Sequence, residues 1–86
     1  IRDQVHAAVG IPGRLGEAVA WVIYVEQADG EPYRVNLRSK GPIINRLAKQ
    51  HNGGGHPLAS GAKAQNREEI EVITQQLEAL VAESEN

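Results

Sequence analysis

Ala18-Val19-Ala20-Trp21-Val22-Ile23-Tyr24-Val25-Glu26 and Tyr33-Arg34-Val35-Asn36-Leu37-Arg38-Ser39 are the two stretches whose reading decides the fold. The first is apolar at nearly every position and rich in β-branched and aromatic residues, as a strand covered on both faces would be, so it predicts a central strand. The second alternates strictly. Successive side chains of a strand leave on opposite faces, so Tyr33, Val35 and Leu37 point one way and Arg34, Asn36 and Arg38 the other. Two arginines therefore share a face. Between the two stretches, Ala28-Asp29-Gly30 has the chemistry of a tight reversal, which predicts an antiparallel hairpin.

Working outward, Gly41-Pro42 stops the second strand, and Pro42 suits the first turn of a helix, where its missing N–H would have no partner anyway. Ile43, Ile44, Leu47, Ala48 and His51 recur at helical spacing, and Asn52-Gly53 offers a left-handed C-cap. Residues 58–64 are short and small, fit for a strand lying close under other backbone. Asn66 with Glu69 three positions on has the form of a capping box. It opens a helix over 67–82 with Ile70, Ile73, Leu77, Leu80 and Val81 on one stripe. Upstream, Val5, Val9 and Ile11 suggest a short strand before the Pro12-Gly13 turn. The three aromatics, Trp21, Tyr24 and Tyr33, fall within apolar strand alternation and are expected in the core. The expected class is α/β or α+β, a small mixed sheet packed by two helices in the order (β)-β-β-α-β-α. Residues 1–17 read as a linker end or first strand, 18–82 as the domain, and 83–86 as a frayed acidic tail.

The chain has 86 residues, enough for one small domain. It opens on Ile1 and contains no Met, as expected of a segment cut from a longer polypeptide. Cysteine is absent, which excludes a disulfide framework and thiolate metal sites and points to the cytoplasm. The longest apolar run, 18–25, is far short of the roughly 20 residues that span a bilayer, so no membrane partner is expected. The formal net charge is -2, but its distribution is uneven. Seven of the nine Lys and Arg residues lie in 33–67 (Arg34, Arg38, Lys40, Arg46, Lys49, Lys63 and Arg67), while all eleven acidic residues lie outside that window. A neutral average conceals a basic middle suited to phosphate.

The segment with the clearest chemistry is Asn52-Gly53-Gly54-Gly55-His56, read as a loop between helix and strand. Three successive glycines lose much backbone freedom on folding, so something must offset them. A bare loop lets N–H groups converge on an anion or lets a ligand approach the backbone, and His56 at its lip can donate to a phosphate oxygen. A flexible turn with a surface histidine is the plain alternative. The basic strand face nearby, free of carboxylates, favours an anion site.

Arg38-Ser39-Lys40-Gly41-Pro42, then Asn45, Leu47-Ala48-Lys49 and Asn52-Gly53-Gly54-Gly55-His56-Pro57-Leu58-Ala59-Ser60-Gly61, resemble the DHH-associated C-terminal domain of the DHH phosphoesterases. The Arg-Ser-Lys-Gly-Pro segment favours the branch of bacterial bifunctional oligoribonucleases and pAp phosphatases. The resemblance is strong over 18–64, agrees in pattern only for the last helix, and adds little for 1–17. It implies a parent enzyme whose N-terminal DHH domain holds divalent metal, typically manganese, and hydrolyses short RNA (nanoRNA) or 3'-phosphoadenosine-5'-phosphate. For this segment it implies substrate grip, with no catalytic or metal-binding residue of its own. Arg38 and Ser39 hold a phosphate, Gly53, Gly54 and Gly55 admit the nucleotide, and His56 reaches into the cleft. Arg34, Lys40, Asn45, Lys49 and Ser60 take secondary roles. The implied partners are the nucleotide and the parent's own metal domain, and a homodimer of the parent is left open.

Two other readings stand beside this one. A cyclic-dinucleotide phosphodiesterase would share the glycine-histidine segment. A single-strand nucleic-acid binding module, as in the exonuclease RecJ or the C-terminal part of alanyl-tRNA synthetase, would show steep salt dependence over many nucleotides. The shortage of exposed aromatics argues against long single strands.

Overall fold

The computed structural model describes residues 4–27 and 31–85. The elements run β1 (Gln4–Pro12), β2 (Ala18–Glu26), β3 (Tyr33–Ser39), α1 (Asn45–Gln50), β4 (Gly54–His56), β5 (Ala59–Ala64) and α2 (Arg67–Ser84). The strands form one sheet in the order β1-β2-β3-β5-β4, with every pairing antiparallel. A small sheet packed by two helices is thus the α+β form of the expectation, but the sheet is antiparallel throughout and not mixed, because each strand pairs with neighbours that run against it. β2 and β3 pair as the hairpin requires, while its turn at Asp29-Gly30 lies outside the described residues.

Strand alternation sorts the side chains into a core face and an open face. Ala20, Val22 and Tyr24 of β2, Val35 and Leu37 of β3, and Ala62 and Ala64 of β5 pack against Leu47 and Ala48 of α1 and Ile70, Ile73, Leu77 and Val81 of α2. Both helices lie on this face. The Tyr24 hydroxyl meets Thr74 Oγ1 and donates to the Ile70 carbonyl at 3.3 Å, and burial pushes the phenol above its ordinary range. Among the described residues no helix is long and apolar enough to cross a membrane.

Several expectations shift. β2 is an interior strand between β1 and β3, as expected, but helices cover only one of its faces. Of the two readings of 1–17, the first strand is the one that forms, since β1 pairs with β2 from Gln4 onward. α1 starts at Asn45 instead of Pro42, because the Ile44 N–H is committed to the Pro57 carbonyl at 2.8 Å, which holds 41–44 out of the helix. In consequence Ile44 is fully buried while Ile43 is 58% exposed. Asn52, with φ 62, is the left-handed residue that ends α1, and the Gly53 N–H returns to the Ala48 carbonyl at 2.9 Å. α2 continues to Ser84, into the stretch expected to fray, and the Arg14 guanidinium reaches the Glu85 carbonyl.

The capping box forms with one change. Asn66 Oδ1 accepts from the Glu69 N–H at 2.9 Å, but Glu69 Oε1 accepts from the Gln65 N–H at 2.7 Å instead of from Asn66. The other Glu69 oxygen lies 2.7 Å from Nδ1 of the buried His51, whose Nε2 lies 2.7 Å from Gln76 Oε1. This network ties the end of α1 to the start of α2, and the His51 carbonyl accepts from Lys63 N–H of β5. The Gln65 N–H, and after it the His51 hydrogen bond, hold the Glu69 carboxyl below the ordinary carboxylate range. A depressed folded value means stabilisation that is complete above the unfolded value of about 4.3 and is lost as pH falls through the lower folded value. We expect the urea midpoint of the chain to fall below about pH 4, and Glu69→Gln to flatten part of that acid limb. An unchanged pH profile in the variant would remove Glu69 as a contributor.

Candidate functional site on the open face of the sheet

The register places five residues in one row across all five strands. Gly10 pairs with Trp21, Trp21 with Arg38, Arg38 with Ala59, and Ala59 with His56. Directly paired residues project to the same side. Ser60, Ala62 and Ala64 of β5 face the core, so Ala59, and with it Arg38 and His56, belongs to the open face. Arg38 and His56 are both exposed and stand two strand spacings apart, roughly 10 Å, with only the Ala59 methyl between them. Two rows along, Arg34 pairs with Lys63, extending the basic surface on the same face. The arginine face of β3 and the histidine that ends the glycine run therefore share one side of the sheet.

The other residues singled out by sequence divide by what they touch. Arg38 Nη1 donates to the Leu37 carbonyl at 2.9 Å, which lays the guanidinium along β3 with further donors to spare. Ser39 Oγ accepts from the Gly41 N–H at 3.0 Å and stiffens the bend after β3. Lys40 Nζ stands 5.9 Å from the centre of the Trp21 ring. Asn45 Nδ2 approaches the Gly55 carbonyl at 3.5 Å, a weak contact that links α1 to β4. Ser60 is buried and donates to the His56 carbonyl at 2.7 Å, so it positions the backbone of His56 and does not face the open side.

The glycine run is a correction to the expected loop, because Gly54-Gly55-His56 forms the edge strand β4. Its glycines have separate reasons. A Cβ on Gly53 would lie 1.8 Å from the Gly61 carbonyl oxygen and 2.6 Å from Ala62 Cα, so two backbones touch there. Gly55 has φ +143, and its Cβ would meet the Ala59 carbonyl oxygen at 2.9 Å. Gly54 alone is open, with nothing nearer than Lys49 Cγ at 3.9 Å. Two of the three glycines are demanded by strand packing, without reference to any ligand.

Trp21 is the residue that sequence reasoning misplaced. It is partly exposed on the open face beside Arg38, not in the core. Its opposite parity to Ala20 and Val22 was a usable signal, masked by the apolar character of both faces of β2. On the helix side, a groove lined by Gly41, Pro42, Ile43, Arg46, Pro57 and Leu80 holds Asn45 but neither Arg38 nor His56.

Arg38, Ala59 and His56 of the row belong to the segments that carried the family resemblance, and comparison with known families supports that resemblance. The model of the DHHA1 domain matches residues 2–83. This chain belongs to the DHHA1 domain family. The DHHA1 domain described here is 51% identical over 78 residues to the protein of Streptococcus mutans named "Probable bifunctional oligoribonuclease and PAP phosphatase NrnA", covering 91% of this chain and 25% of that protein. It is 49% identical over 83 residues to the bifunctional oligoribonuclease and PAP phosphatase NrnA of Bacillus subtilis, covering 96% of this chain and 26% of the relative. The protein of the same name in Mycoplasma genitalium is 36% identical over 64 residues, 74% of this chain and 20% of its own length. The DHHA1 domain thus spans about a quarter of the length of the curated relatives it matches.

Proposed function

We propose that this domain grips the phosphate of a short oligoribonucleotide or of 3'-phosphoadenosine-5'-phosphate, within a phosphoesterase whose hydrolytic metal centre lies in another domain. The observation that carries the reading is the shared row, in which Arg38 and His56 flank the small Ala59 on a face that neither helix covers. A guanidinium can take two phosphate oxygens at once, and an imidazole N–H can take a third from the other side of the gap. The activities for which the NrnA relatives are named supply the substrate class. Among the described residues no three His, Cys, Asp or Glu are grouped as metal ligands, and both ring nitrogens of His51 are engaged by Glu69 and Gln76. The family resemblance, and not this absence, is the ground for placing a metal-activated water, typically with manganese, in another domain of a cytoplasmic parent enzyme. This domain holds and orients the substrate.

In the full-length enzyme, His56→Ala is expected to lower kcat/KM on a phosphorylated dinucleotide about tenfold, the worth of one hydrogen bond to a charged group. The melting temperature should stay put, since His56 is exposed at a strand end. A drop in melting temperature that matched the drop in activity would make His56 a structural residue and end its role in the grip.

A further inference from the structure

We propose that the Trp21 indole is a platform on which one nucleobase stacks while the phosphate of the same nucleotide lies at Arg38 and His56. This rests on the phosphate grip proposed above and names what binds beside it. Trp21 stands directly opposite Arg38 in the β2–β3 register, on the side of the sheet away from both helices. Neighbouring strands are roughly 4.8 Å apart, about the width of the ribose that separates a base from its own phosphate. A nucleotide can therefore bridge β3 and β2 with phosphate on the guanidinium and base on the indole.

The surroundings of the ring favour this use. A large aromatic on an uncovered sheet face leaves apolar area in water that it would lose by stacking. Gly10 pairs with Trp21 from the far side, and a Cβ there would come within 3.5 Å of the Trp21 ring atom Cδ1 and 3.6 Å of Nε1. The pyrrole edge of the indole thus lies beside a β1 position that carries no side chain. Among the described residues the cation over the ring is Lys40, at 5.9 Å, on a long exposed side chain. An exposed cation–π contact is weaker than base–aromatic stacking, so a base can replace the ammonium, freeing Lys40 to follow the phosphate. The next row on this face carries Ile23, Asn36, Gly61 and Gly54, with no second aromatic. One platform serves one base, which suits a substrate of very few nucleotides. Stacking on a flat ring also tolerates every base, with purines ahead of pyrimidines for their larger area.

Trp21 is the only tryptophan of the chain, so its emission reports directly on the platform. The 86-residue chain is titrated with 5'-phosphorylated diadenylate and, separately, with ribose 5-phosphate, while indole emission and amide spectra are recorded. The diadenylate should quench Trp21 with the same midpoint as the amide shifts at Arg38 and at residues 53–56. Ribose 5-phosphate should shift those amides without quenching. Trp21→Ala should weaken diadenylate about tenfold and leave ribose 5-phosphate unaffected, with Trp21→Phe in between. If Trp21→Ala proves unfolded by its melting curve, the Phe variant and wild-type quenching decide. Equal affinity for both ligands with no quenching, the amide shifts persisting, would overturn the platform and leave the phosphate grip standing. Absence of shifts at Arg38 and residues 53–56 with either ligand would overturn both.

Discussion

A Gly53→Ala chain is expected to melt at least about 12 °C below wild type, whereas Gly54→Ala, one residue on, is expected to melt with it. The added methyl at Gly53 would sit 1.8 Å from the Gly61 carbonyl oxygen, 2.6 Å from Ala62 Cα and 2.7 Å from the Gly61 carbonyl carbon. These are backbone atoms of β5, which is paired with β3 through six residues and held again by the Lys63 N–H to His51 carbonyl bond. β5 cannot retreat without losing those pairs. Nor can Gly53 move away, since its own N–H is committed to the Ala48 carbonyl. Overpacking with no route of relaxation costs about 3 kcal/mol or more, a large share of the stability of a domain this size. At position 54 the methyl meets only Lys49 Cγ, at 3.9 Å. Differential scanning calorimetry of the two variants separates them. A stable Gly53→Ala would show that β4 and β5 do not run as close as described, and the row joining Arg38 to His56 would lose its support.

Arg38→Ala in the full-length enzyme is expected to reduce kcat/KM by about 100-fold or more, chiefly through KM. Charge-assisted bonds to phosphate are worth about 1.5–3 kcal/mol each, and the guanidinium can make two in parallel. A grip remote from the bond being broken holds ground state and transition state alike, which is why KM carries the change. Arg38→Lys should recover only part of the loss, because an ammonium is a point charge and cannot span two oxygens. Stability should change little, because the side chain is exposed and its one described bond is to the Leu37 carbonyl. Steady-state kinetics at two salt concentrations make the check. An Arg38→Ala enzyme with unaltered KM would remove the phosphate from this site and, with it, the reading of the open face.

Local chemistry was enough for much of this. The alternation of Tyr33-Arg34-Val35-Asn36-Leu37-Arg38 states which residues share a face of β3, and both the capping residue and the apolar stripe of α2 lie where their spacing puts them. The basic window pointed to phosphate, and the segments 38–42 and 52–61 carried the resemblance to the family that residues 2–83 match. Where reading failed, a distant partner had intervened. Pro42 looks like a helix start until the Ile44 N–H is seen bonded to Pro57, and residues 54–56 look like a loop until β5 is seen to pair with them.

Sequence by itself determined the strand and helix periods, the common face of Arg34 and Arg38, and the family, because these depend on neighbours a few positions apart. Tertiary structure alone decided that His56 and Trp21 stand in the row of Arg38, and that Gly53 and Gly55 serve backbone contact. Those facts depend on which strands pair and in what register, and strand order joins residues far apart in the chain that no local pattern relates.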